Sequence, residues 1–173
     1  MRHDVPEQDY IDFAADHPFG EAVTELTIII DGQPFLCTGT LISERHVLTA
    51  AHCVAEFDSS GSATAEASLI TMEIGGNFRA AAGFEYLYGE AVDQTFFLQP
   101  SAVDLAVITL DKPVTDVTPV PLFLDAVPHF SRSEFIGFGQ SNIGTGGQFG
   151  PAGIKRGGEN INNVVDELIG LNI

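Results

Sequence analysis

Apolar and polar positions fall into short runs along this chain, most of them closed by turn residues. Val23–Ile30 is rich in Val, Thr and Ile and predicts a strand. Asp31-Gly32 is a turn signal, and Pro34–Ser43 resumes as a second strand, so the two read as a hairpin. Val47–Thr49 is short and apolar, and the following Ala50–Val54 favours a helical turn. Phe57–Ala65 is a loop of small residues, after which Ala67–Ile74 and Phe78–Tyr88 read as strands around a Gly75-Gly76 turn. Gly89–Ala102 reads as a long loop, and Val103–Leu110 as a strand ended by Asp111-Lys112-Pro113. A linker-like stretch with three prolines covers Val114–Pro128.

Phe135–Gly139 predicts one more strand. Glycine is so frequent over Gly144–Gly158 that a mobile loop is expected there. Asn163–Leu171 fits a short helix or a short strand equally. Residues 1–22 form a polar, acidic lead with a short helical stretch at Asp9–Ala15, expected to pack loosely on the surface. No internal repeat is visible. Short strands at fairly even spacing predict an all-β fold, an antiparallel barrel or sandwich.

Composition narrows what such a fold can do. The 173 residues fall within the usual size of one domain, and 45% hydrophobic content is enough for a core. A formal net charge of −17 repels nucleic-acid phosphates and anionic lipid alike, so neither is an expected partner. The acids are scattered, which makes a solvated acidic surface that salt would screen. No apolar run is long enough to span a bilayer, and the polar start lacks the apolar stretch of a secretory signal.

No cofactor or metal is expected. The five histidines are dispersed without His-Glu-x-x-His, and the glycines around Lys155 lack Gly-Lys-Ser/Thr. A calcium loop using Asp58, Glu66, Glu85 or Glu90 shows no ligand spacing. Cys37 and Cys53 can be two buried thiols or a bridge; their number alone does not decide.

The segment Cys37-Thr-Gly-Thr-Leu-Ile-Ser-Glu-Arg-His-Val-Leu-Thr-Ala-Ala-His52-Cys53 resembles the histidine motif of the chymotrypsin/trypsin-like serine peptidases. Ser101-Ala-Val-Asp104-Leu-Ala-Val-Ile-Thr-Leu110 resembles the same family's aspartate strand. Phe135-Ile-Gly-Phe-Gly139 is similar to the strand that begins its second barrel, and Pro18-Phe19 to its step into the first strand. The resemblance covers about residues 17–140.

It implies a six-stranded antiparallel β-barrel of the trypsin-like type followed by an incomplete second barrel. Residues 1–22 would be a polar lead, 23–120 the first barrel carrying His52 and Asp104, and 121–173 a linker and the start of the second barrel. By resemblance His52 is the general base and later the general acid, and Asp104 orients it. Physical sense agrees: Asp104 opens an apolar strand, a costly place for a carboxylate without a partner. Asp58, Asp93 and Asp111 are poorer candidates, lying in polar loops or ending the strand, and His3, His17, His46 and His129 read as surface or core residues.

A Cys37–Cys53 disulfide is implied, worth roughly 3 kcal/mol in the chain-entropy model. The implied substrate is polypeptide, and the implied setting is secreted or extracellular.

The family's Gly-Asp-Ser-Gly-Gly nucleophile setting does not occur, and Ser131, Ser133 and Ser141 stand in other contexts. The expectation is therefore an endopeptidase piece that lacks its serine and is inert alone. The alternative is a non-catalytic peptidase-like binding module. No Ile-Val-Gly-Gly occurs near Pro18, and oligomeric state is not legible in the sequence.

Overall fold

The computed structural model describes residues 4–90, 102–124, 131–141 and 150–161, with the side chains of residues 90 and 102 left aside. Six strands, a short apolar run and two helical stretches are legible in the sequence in outline, and the structure adds the pieces that join them.

Helix α1 (Glu7–Asp16) leads through a 3-10 turn at Gly20–Ala22 into β1 (Val23–Ile30) and β2 (Gln33–Ser43). Asp31 and Gly32 take φ of 47° and 75°, the left-handed pair that a two-residue hairpin turn requires. Then come β3 (His46–Thr49), the short helix α2 (Ala51–Val54) and β4 (Ala55–Phe57). Long strands β5 (Ala63–Ile74), β6 (Asn77–Glu90) and β7 (Ala102–Leu110) follow. A separate pair, β8 (Arg132–Gly137) and β9 (Arg156–Ile161), completes the described chain.

The strands β1-β2-β3-β7-β6-β5 are hydrogen-bonded in that order, and β1 pairs β5 to close a six-stranded antiparallel barrel, with β4 as an extra strand on β5. The described fold is all-β, a closed six-stranded antiparallel barrel as the resemblance implies, with a second, partial sheet. Alternation builds the core. Leu26, Ile28 and Ile30 of β1, Ile70, Met72 and Ile74 of β5, and Ala106, Ile108 and Leu110 of β7 all point inward and are buried. The register sets Leu26 beside Met72, Ile28 beside Ile70 and Val47 beside Ile108, so the inward rows meet. Each fully buried aliphatic side chain contributes about 1.5–3 kcal/mol relative to exposure.

Three regions differ from the sequence expectation. The loop expected over Phe57–Ala65 shrinks to Asp58–Ser62, because Phe57 belongs to β4 and β5 starts at Ala63. The Asp58 carboxylate closes this loop by accepting from the Ser60 and Ser62 backbone N–H groups, at 2.8 and 3.1 Å.

The expected mobile loop Gly144–Gly158 also ends early, since β9 begins at Arg156 and pairs Gly158 with Phe135 and Gly157 with Ile136. Glycine serves packing there: a β-carbon on Gly157 would lie 2.7 Å from the Phe13 ring of α1.

For the same reason the lead is not loosely packed. Helix α1 lies on β9, Ala14 is buried, and Arg156, itself buried, donates Nε and Nη2 to Glu7 Oε1 at 2.8 and 2.5 Å. The long loop after Gly89, the end of the proline-bearing linker and Asn163–Leu171 lie outside the described residues, apart from the loop's two ends.

Candidate active site

Strand β3 delivers the chain to the barrel rim, where Ala50 (φ −86°, ψ 151°) is still extended and Ala51 turns into α2. Two alanines in succession leave room for this corner, and the Cys53 N–H donates to the Ala50 carbonyl at 3.2 Å. One step back, Gly39 lets β2 pass close beneath: a β-carbon there would lie 2.6 Å from Val47 Cγ1 and 2.9 Å from Leu26 Cδ2. The outcome is that Ala51, Cys53 and Val54 are buried while His52 faces outward.

Cys37 of β2 and Cys53 of α2 form a disulfide with Cα atoms 6.2 Å apart. Cys37, His52 and Cys53 place their ligand atoms within 4.8 Å of one another, a spacing that could hold a metal ion. Both sulfurs are consumed by the bridge, so no thiolate remains to ligate one. The donor set does not fit a metal.

Strand β7 brings Asp104 against the same corner, opposite Tyr88 of β6. Its Oδ2 lies 2.5 Å from His52 Nδ1, and its Oδ1 accepts the His52 backbone N–H at 2.9 Å. One carboxylate therefore fixes both the ring and the backbone of the same residue.

Burial pushes the Asp104 carboxyl up. Donation from the His52 backbone and ring, the His52 charge and the Ala51 N–H outweigh that push and hold it below the usual carboxylate value. An ionised carboxylate only accepts, so this hydrogen bond requires a proton on Nδ1, which in a neutral ring leaves the lone pair on Nε2. The His52 side chain keeps 63% of its surface exposed, so that nitrogen can reach a reacting partner.

Tyr88, the cross-strand neighbour of Asp104, belongs to an aromatic group. Phe57 stacks on Tyr88 with ring centroids 3.7 Å apart and meets Tyr86 edge-on. Tyr86 donates to Glu66 at 2.8 Å, and that hydrogen bond, with some burial and the Glu66 charge, raises the phenol above its usual value.

The poorer acids stand elsewhere. Asp58 holds its own loop, Asp111 accepts from the Ala80 N–H at 3.3 Å, and Asp93 lies outside the described residues. Ser141 is buried and bridges to Gly150 beside the second sheet, while Ser133 sits within β8.

Sequence reading missed a second imidazole–carboxylate pair. His17 Nε2 lies 2.9 Å from Glu134 while His17 Nδ1 accepts the Phe19 N–H at 3.1 Å. The partners are 117 residues apart and no motif surrounds either, so the sequence carries no signal for them.

A protein-family model described as Trypsin matches residues 25–145, more than half of the chain. Over 31 residues the chain is 55% identical to snake venom serine protease LmrSP-4 of Lachesis muta rhombeata, an overlap of 18% of this chain and 58% of that protein. The solved structure of HL collagenase matches with a TM-score of 0.53 at 18% identity, covering 82% of this chain and 57% of that one. The structure titled "Structure of GrC" matches with a TM-score of 0.52 at 16% identity, covering 80% and 59%. The chain thus spans less than two-thirds of the length of these relatives. At such identities the two structures speak for the fold alone.

Proposed function

The chain belongs to the trypsin-like serine protease family, and from that premise we propose that it carries the base half of a serine endopeptidase site. His52 is the general base and later the general acid; Asp104 is its orienter. The observation that carries this reading is the double acceptance by Asp104, 2.5 Å from the His52 ring and 2.9 Å from its backbone nitrogen.

The chemistry follows from that geometry. Nε2 takes the proton of an attacking hydroxyl, the ring becomes imidazolium, and the carboxylate beside Nδ1 stabilises the charge without taking the proton. Nε2 then returns the proton to the leaving amine. The substrate is a polypeptide, approaching across the open side of His52 beside the Phe57–Tyr88 stack. An extracellular setting suits both the disulfide and the strongly acidic surface. Residues 23–120 form the unit that holds the base, and 121–173 begin a second one.

The 173 residues hold no Gly-Asp-Ser-Gly-Gly, so by themselves they are inert toward peptides. The test is incubation with a fluorophosphonate, which phosphonylates only activated serines with loss of fluoride, followed by intact mass. No mass gain is expected. Stoichiometric labelling of Ser133 or Ser141 would overturn the assignment of the nucleophile to a setting these residues lack.

A further inference from the structure

The sequence reading left one position of Cys37-Thr-Gly without a role, and the structure fills it. Thr38 stands between Cys37 and Gly39 on β2, partly buried. Its carbonyl accepts the Thr49 hydroxyl at 2.9 Å, and Thr49 is buried three residues before His52. Its neighbour Cys37 is bonded to Cys53, one residue after His52. The corner that presents the imidazole is thus tied at both ends to one dipeptide of β2.

Thr38 also reaches the other way. Its Oγ1 accepts the Phe138 N–H at 2.9 Å, across a separation of 100 residues. Phe138 follows directly on β8, and it is itself held: its carbonyl accepts the Gly153 N–H at 2.8 Å, and Lys155 lies 5.3 Å over its ring. Gly137 permits the approach, since a β-carbon there would come 3.3 Å from Thr38 Oγ1.

We propose that Thr38 is a positioning residue that couples the second sheet to the His52 corner, so that the placement of Phe138 sets the pose of the imidazole. The inference rests on the reading of His52 as the base. A hydroxyl is required because the second sheet offers a backbone donor, and only an oxygen at this position accepts it without moving the strand.

The test compares the whole chain with Thr38→Val, Thr38→Ser and Gly137→Ala by NMR, reading the Phe138 amide exchange rate and the His52 ring resonances. Thr38→Val keeps the shape and removes the acceptor. It should speed Phe138 exchange roughly three- to tenfold, as expected for one neutral hydrogen bond. It should also shift the His52 ring signals. Thr38→Ser should restore both. Gly137→Ala keeps the hydroxyl but crowds it, with the new β-carbon 3.3 Å from Thr38 Oγ1, and should reproduce the His52 shift even if the valine variant does not fold.

Faster Phe138 exchange with an unmoved His52 ring in both variants overturns the coupling, and so does a shift that serine does not rescue. A His52 ring that responds to Thr38 while showing no contact with Asp104 in the parent chain supports the coupling and removes the base reading instead.

Discussion

The barrel and the second sheet solve the same problem with unequal means. The barrel closes on itself, so its inward rows are covered on every side and Leu26, Ile28, Leu41, Ile108 and Leu110 are fully buried. Among the described residues the second sheet has two strands and no closure, and Phe135 and Ile161 are 59% and 53% exposed. What holds it is borrowed: α1 lies on β9, Arg156 grips Glu7, and Phe138 bonds to Thr38 of the barrel. The difference teaches where a well-held corner for the proposed base can be built. His52 and Asp104 both come from barrel elements, so the geometry between them rests on the better-packed half.

The largest effect expected from this contrast is in the core. Leu26→Ala should cost about 2–5 kcal/mol in denaturant unfolding, whereas Phe135→Ala should stay within about 0.5 kcal/mol. Equal losses would show that the two regions do not differ in packing. Removing the bridge with Cys37→Ala and Cys53→Ala comes next, at about 3 kcal/mol, again read by denaturant midpoint. Glu7→Gln should cost about 1.5 kcal/mol, a modest figure because Glu7 is half-exposed. Its mark should be faster amide exchange in β8 and β9 with β1 and β5 unchanged.

The smallest expected effect is a slope. The Asp104 carboxyl is held below its ordinary value in the folded chain, so its stabilising contribution is complete above the unfolded carboxylate range. That contribution is lost as pH falls through the lower folded value. Asp104→Asn should therefore flatten the acid limb of a stability–pH curve without altering the limb near neutrality. An unchanged acid limb would mean that the carboxylate gains nothing from His52.

How much could be read in advance follows the same division. Val23–Ile30 was bounded to the residue, and Ala67–Ile74 and Val103–Leu110 to within a few, because inward apolar residues alternate and Asp-Gly, Gly-Gly and Lys-Pro punctuate them. Strand β9 was hidden because Gly157 and Gly158 carry no side chain to alternate, and the rings beside them belong to Phe13 and Tyr10, far away in sequence. The Arg156–Glu7 pair spans 149 residues, which no local pattern can signal. At the candidate site, His52 and Asp104 stood out through the dense motifs around them, and the structure brings them together. Thr38 did not, because its partner is a backbone N–H, and backbone donors leave no trace in a sequence.

The account stands on one imidazole held in one tautomer by one carboxylate. Long-range nitrogen–proton NMR of the labelled chain near neutral pH reports which ring nitrogen of His52 bears the proton. The proton should be found on Nδ1, and Asp104→Asn should displace it. A His52 ring protonated on Nε2 alone, or one indifferent to Asp104→Asn, would contradict the account.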